Sequence, residues 1–206
     1  MINTILIGSG LIHPGPWARW QVQRVLATLT GTQITRRATL DAVTAEDYAQ
    51  SQLIVTYFQE QQLSEQAWIR LRDFVASGGA MLVFHAGTAS FKTFDPWFDL
   101  IGGRFTGHGP IQRITVTPQA QSTLLGDMDS FQVTEELYHH EMHGDVDVHA
   151  TVSDEAGTHP VVWTKAHDRG RIAYIVFGHR ASAFMNSGVQ QITKAMLSWL
   201  MEEHNA

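Results

Sequence analysis

Ala80-Met81-Leu82-Val83-Phe84 are five apolar residues in a row, set between Gly78-Gly79 and His85-Ala86-Gly87. An unbroken apolar run of this length suits a strand buried on both faces, as in a parallel sheet; a half-exposed strand would alternate. The glycine pair can end a preceding helix, and Ala86-Gly87 permits a tight turn. A polar side chain on a turn after a buried strand sits where open α/β sheets collect ligands, at the carboxyl ends of the strands. One such histidine, taken alone, is more often a strand-end residue bonded to a loop, so its neighbours in the fold must decide.

The first 90 residues alternate in a way that extends this reading. Ile2 to Ile7 reads as a strand, closed by Gly8-Ser9-Gly10. Trp17 to Leu29 carries a helical apolar face, with Trp17, Trp20, Val22, Val25, Leu26 and Leu29. Gln33 to Arg36 is a short second strand, residues 39–50 a loop or short helix, and Leu53 to Phe58 a buried strand. Ser64 is placed as an N-cap for a helix whose Trp68, Leu71, Phe74 and Val75 share a face. Strand–helix alternation of this kind predicts a mostly parallel sheet with helices on both faces.

The rhythm then changes. Phe94 to Ile101 is a short aromatic helix, and residues 102–109 hold four glycines with His108 and read as a loop. Ile111 to Thr117 alternates, with Ile111, Ile114 and Val116 expected inward. Strands are expected at residues 131–138, 146–152, 160–165 and 172–177, with a hairpin turn at His167 to Arg171. Val189 to Met201 closes the chain as an amphipathic helix. No repeat or linker interrupts the pattern, so one domain over residues 1–206 is expected, with an antiparallel β extension in the C-terminal half.

Composition excludes several functions. The formal net charge is −6 and Arg36-Arg37 is only a pair, which argues against nucleic acid as a partner. The absence of cysteine removes disulfides, thiolate metal sites and a cysteine nucleophile. Gly8-Ser9-Gly10 does not continue into GxGxxG, so no nucleotide cofactor is expected. No run approaches a membrane span, and a cytoplasmic location is expected. What stands out is eleven histidines in 206 residues.

A parallel sheet brings the ends of its strands to one rim. His13, Tyr57 or Phe58, His85 and His179 each follow an expected strand, and the segments holding His108 and residues 135–140 are long enough to cover the rim. Of the adjacent carboxylates, Glu136 is favoured for function, but alternation leaves open which of Glu135 and Glu136 faces the cleft. His139, His140 and His143 lack the spacing of the helical zinc motif; on a strand His139 and His143 share a face with Glu141, and His140 points away. His149, His167 and His204 read as surface residues. Trp17, Tyr57, Phe91, Trp97 and Tyr138 are expected near the rim, where aromatic faces can stack on a ligand.

Several motifs, in order and spacing, resemble one family. They are residues 78–87, Ile101-Gly102-Gly103-Arg104-Phe105-Thr106-Gly107-His108, Thr134-Glu135-Glu136-Leu137-Tyr138, Pro160-Val161-Val162-Trp163, and Gly170 through His179. Together they resemble the trehalose-utilisation (ThuA-like) family of the class I glutamine amidotransferase-like superfamily. The resemblance implies a flavodoxin-like three-layer α/β sandwich with a mostly parallel central sheet. In glutamine amidotransferases the turn after this strand carries a nucleophilic cysteine within Gly-x-Cys-x-Gly. His85 stands at that position here, so a thiolate glutaminase is excluded. Glu135 stands where Asp is common in the family.

The resemblance implies a small-molecule sugar as partner, and a homo-oligomer is compatible with it. It implies a protein of carbohydrate catabolism, first of all an enzyme acting on trehalose-type disaccharides or their 3-keto derivatives. Its catalytic residues would be His85 and Glu136, with His13, Tyr57, His108, Tyr138 and His179 binding substrate. A divalent metal such as Zn²⁺, held by His85, His108 and His179, would suit the same chemistry. The alternative is a non-catalytic sugar-binding or subunit-interaction module that has lost the superfamily nucleophile.

Overall fold

The computed structural model describes residues 2–8, 16–27 and 32–202. The elements run β1 (Ile2–Ile7), α1 (Pro16–Ala27), β2 (Thr32–Arg37), α2 (Ala45–Gln50), β3 (Leu53–Thr56), α3 (Glu65–Ala76), β4 (Ala80–Phe84) and α4 (Asp95–Ile101). There follow β5 (Gly103–Pro118), β6 (Phe131–Met142), β7 (Asp147–Asp154), β8 (Gly157–His167), β9 (Gly170–Ile175) and α5 (Ser187–Met201). Short 3-10 turns cover Leu40–Ala42, His85–Ala89 and Ala181–Met185.

The nine strands form one mixed sheet in the order β2-β1-β3-β4-β9-β8-β7-β5-β6. Five strands, from β2 to β9, pair in parallel, and every pairing beyond β9 is antiparallel. The sheet is therefore mixed rather than mostly parallel. The reason lies in the connections: a parallel neighbour needs a long crossover, whereas β8 and β9 are joined by the tight turn at His167 to Gly170, which can only reverse the chain.

The parallel part winds outward from β1 in both directions. The step from β1 to β2 goes one way and the step from β3 to β4 the other. Right-handed crossovers then put α1 and α3 on opposite faces. In keeping with this, α1 touches α5 while α3 touches α2. Each helix buries one stripe: Ala67, Leu71, Phe74 and Val75 on α3, and Val189, Ile192, Met196, Leu197 and Leu200 on α5. Ser64 caps α3 by accepting from the Ala67 amide at 3.2 Å, as its sequence position predicts. Covered on both faces, β3 and β4 are buried at every residue.

Three expectations fail for identifiable reasons. Residues 103–109 are not a loop but the first part of β5, which pairs with β6 through register shifts at Phe105/Gly107 and His108/Ile111. The glycines there serve an irregular strand rather than end one. Those shifts also turn Ile111 outward, to 43% exposure, while Ile114 and Val116 stay buried. Trp20 is likewise turned outward on α1, with the Arg24 guanidinium over its ring.

Among the described residues the β5–β6 ribbon pairs with the rest of the sheet through Thr117 and Pro118 alone, opposite β7. Its other end folds back over the carboxyl ends of β4 and β9. This bend is what builds the site.

Burial sets the expected cost of mutation. Leu82, in mid-β4 and fully buried, should cost about 2–5 kcal/mol when changed to Ala, from lost transfer energy plus a cavity. Ile69→Ala, at 38% exposure on α3, should stay within about 0.5 kcal/mol of wild type. Urea midpoints of the two variants at constant m-value test the pair.

Candidate functional site

His85 leaves β4 with a φ of +43°, a left-handed conformation unusual for a residue with a Cβ. The turn holds it there. Tyr174 donates its hydroxyl to the His85 carbonyl at 2.9 Å, and Thr88 Oγ1 donates to the same oxygen at 3.2 Å. The imidazole Nδ1 lies 2.8 Å from the Val176 carbonyl. A carbonyl only accepts, so Nδ1 carries a proton and Nε2 is the ring atom turned toward Glu136, at 4.0 Å from its Oε2. Strain of this kind at a strand end is characteristic of residues held for function.

Beyond β9 the chain runs through Val176 and Phe177 to Gly178, at φ +145°. A side chain at Gly178 would approach Tyr57 to 3.0 Å and the His85 Cβ to 3.2 Å, so glycine lets the two strand ends lie together. Tyr57 donates its hydroxyl to the Gly178 carbonyl. Glu135, with no exposed surface, accepts the Gly178 amide at 2.9 Å and the Arg180 amide at 3.0 Å. The loop carrying His179 is thus held on both sides by groups that sequence patterning did not single out for that task.

Four groups converge here. The Oε2 atom of Glu136 lies 3.1 Å from His179 Nδ1 and 4.0 Å from His85 Nε2. Its Oε1 lies 3.1 Å from His108 Nδ1. Tyr138 packs at a tilt of 32° against His85, ring centroids 4.1 Å apart, and Phe105 packs against Tyr138 at 4.4 Å. Glu136 is therefore the carboxylate that faces the cleft, and Glu135 is its neighbour turned onto the backbone behind.

Behind His85 a second layer closes the site. Nε2 of His140 lies 3.2 Å from both Tyr174 Oη and Thr88 Oγ1, the two hydroxyls that hold the His85 carbonyl. Burial pushes His140 down to about 3, so it is neutral across the physiological range. Burial acts in the other sense on Glu135, raising it to about 7 against the opposing pull of the Arg180 and Gly178 amides.

The expected residues separate into two groups. His85, Glu136, His108, His179 and Tyr138 come together. Tyr57, 1% exposed, has its hydroxyl committed to Gly178, so it supports the loop and offers no open face. Phe91 and Trp97 are buried against each other, and the Trp97 indole donates to the Gly87 carbonyl. They belong to the core rather than to a sugar-stacking surface. His13, the Trp17 side chain and His204 lie outside the described residues. His149 is buried, not superficial, between Ser122 Oγ at 2.9 Å and Thr164 Oγ1 at 2.8 Å. His143 pairs with Asp99 at 2.9 Å, away from the cleft. For Thr88 and Tyr174 the sequence carried only a weak signal, polar groups within or beside buried strands.

The class defined by this geometry is an α/β protein with a histidine–carboxylate centre at the carboxyl edge of a mixed sheet. The chain belongs to the ThuA family, described as trehalose utilisation, whose model matches residues 13–200. A ThuA-like protein of Bacteroides uniformis is 16% identical, with 99% of this chain and 93% of that one covered at a TM-score of 0.84. Another from Parabacteroides merdae is 17% identical over 97% and 89%, also at 0.84. A β-galactosidase of Rahnella sp. R3 matches at 12% identity and a TM-score of 0.70, over 97% of this chain but 31% of its own. At these identities the likeness is one of fold. Among curated proteins no sequence matches.

Glu135 supplies a pH test. With its pKa at about 7 in the fold against 4.5 as the reference value, the folded state binds more protons between those limits. Stability should therefore fall as pH rises from about 4.5 to 7, and Glu135→Gln should remove that component. His140 has the opposite sign: its stabilising neutral form is lost as pH falls from 6.5 toward 3, so acid sensitivity should weaken in His140→Gln. Denaturation midpoints across pH, read as wild type minus variant, check both.

Proposed function

We propose that this protein is a cytoplasmic enzyme of carbohydrate catabolism, acting on trehalose-type disaccharides or their 3-keto derivatives by acid/base chemistry at Glu136 and His85. The observation that carries the reading is one buried carboxylate met by imidazoles on both of its oxygens, beside a buried tyrosine ring. A structural ion pair needs one partner; a group that must give and take protons benefits from several.

A 3-keto group acidifies the neighbouring C2–H of a glycoside. In the proposed step the Glu136 carboxylate takes that proton. The C–H electron pair becomes the C1=C2 bond as the C1–O bond breaks, and the departing sugar oxygen takes a proton from the His85 imidazolium at Nε2. Proton transfer by positioned groups of this kind contributes about 10²–10⁴-fold each. His179 and His108 orient Glu136 and are placed to bond sugar hydroxyls. Tyr138 keeps His85 dry on one face.

The same groups fit a divalent ion such as Zn²⁺. His85 Nε2, Glu136 Oε2 and His179 Nδ1 lie within 4.8 Å of one another. The Val176 carbonyl accepts from His85 Nδ1 and so turns Nε2 toward Glu136, the outer-shell arrangement usual for metal-bound histidine. His108 does not join this set; it meets the other carboxylate oxygen, and its Nδ1 lies 2.9 Å from the Gly109 carbonyl. A bound ion would supply polarisation of a sugar carbonyl. His108, half exposed, would then be the imidazole left to move protons.

A binding or interaction module is the second reading, favoured by the occurrence of this fold as about a third of a β-galactosidase chain. Turnover separates the two. Purified protein should convert 3-keto-trehalose or a 3-keto-glucoside, and Glu136→Gln and His85→Ala should each lower kcat by about 10²-fold or more while the fold is retained. Saturable sugar binding without turnover by wild type would sink the enzyme reading and leave the module. Elemental analysis of wild type against His85→Ala tests the metal-assisted form.

A further inference from the structure

A second convergence of ligand-type side chains lies away from the cleft. His139 is on β6, Asp154 ends β7, and His159 is on β8. Asp154 Oδ2 lies 3.3 Å from His139 Nε2, and its Oδ1 lies 2.8 Å from His159 Nε2. One donor atom from each residue falls within 4.8 Å of the others, the same closeness found at the cleft. From the spacing of His139, His140 and His143 alone this site is invisible, because two of its three members come from another hairpin.

We propose that His139, Asp154 and His159 form a second, structural site for a divalent transition ion such as Zn²⁺, which fastens β6 to the β7–β8 hairpin.

Three observations support the assignment. The donor set is two imidazoles and one carboxylate, a combination that suits Zn²⁺ and its neighbours rather than Ca²⁺ or Mg²⁺, which take oxygen. The carboxylate is already oriented, since Asp154 Oδ1 accepts the Ala156 amide at 2.8 Å and the Gly157 amide at 3.2 Å. Fixing a ligating carboxylate by outer hydrogen bonds is a usual feature of metal sites. The site is also placed where a fastening has a use. Among the described residues β6 pairs in the sheet with β5 alone, so nothing in the ladder ties it to β7 or β8. Yet β6 carries Glu135, Glu136 and Tyr138 immediately before His139. An ion at His139 would hold the strand that positions the cleft carboxylate.

The two rings are now nearly parallel, 10° apart with centroids at 4.1 Å. Each imidazole lone pair lies in its own ring plane, so an ion shared by both Nε2 atoms must open that angle. Binding therefore has a signature in the histidine ring resonances, independent of catalysis and of the cleft.

The test is Zn²⁺ titration of metal-stripped full-length protein, by calorimetry and by histidine ring NMR. The Glu136→Gln background weakens the cleft site and isolates this one. One Zn²⁺ should bind in that background, shift the His139 and His159 ring signals, and raise Tm. His159→Gln should abolish all three effects, and Asp154→Asn, which keeps the oxygen that caps the turn, should weaken affinity at least tenfold. In the wild-type background His159→Gln should lower stoichiometry by one. Zn²⁺ binding unchanged by His159→Gln, or no Zn²⁺ binding in the Glu136→Gln protein while its circular dichroism matches wild type, would overturn the proposal. Neither result bears on turnover of keto-sugars, so this site and the cleft stand or fall separately.

Discussion

The pairing of β4 with β9 is the constraint on which the rest of this structure depends. It joins strands about ninety residues apart, with Phe84 opposite Ile175, and it is the seam between the parallel and antiparallel parts of the sheet. Because the pairing is parallel, both strands end on the same edge. His85 and His179 are thereby brought to one rim before any side-chain preference acts. The approach is closer than two ordinary residues would permit, which is why Gly178 stands against the His85 Cβ. Without this seam the remaining polar contacts of the site would have no common frame.

The second determinant is the bent β5–β6 ribbon, and it is held by buried polar groups at a cost. Taking Glu135 wholly out of water is unfavourable for its charged form, and its two backbone amide bonds offset only part of that penalty. The return is positional. Glu135 and Glu136 are neighbours on one strand, so anchoring the first to residues 178 and 180 sets the place of the second against His179. His140, four residues on from Glu136, makes a comparable contact with Tyr174 and Thr88 behind His85. The ribbon is thus fixed on either side of the carboxylate that faces the cleft.

Much of this was legible in the residues themselves. The apolar run at 80–84, the Ser64 cap and the stripe on α3 each report local physics, and each element lies where its pattern put it. That His85, Glu136, His108, His179 and Tyr138 would meet at one rim was legible because each follows a strand or lies in a segment long enough to reach it. The failures share a cause. Glycines at 102–109 signal unusual backbone, which a loop and a bulged strand both require. Tyr57, Phe91 and Trp97 near a rim satisfy the composition of a sugar platform and of a core equally well, and only packing distinguished them. His149 reads as a surface residue in the sequence because nothing in its neighbourhood announces that Ser122 and Thr164 meet it.

The sequence by itself determined most of the strands and helices, the replacement of a cysteine nucleophile by imidazole, and membership of the trehalose-utilisation family. These follow from local periodicity and from residue types in order, which do not depend on distant contacts. Only the tertiary structure decided that Glu136 rather than Glu135 faces the histidines, that the sheet is mixed, and that His139 finds Asp154 and His159 instead of its own neighbours. The physical reason is the same in each case. Alternation along a strand sends adjacent side chains to opposite faces, but which face meets which partner is set by the bend and register of strands far apart in the chain.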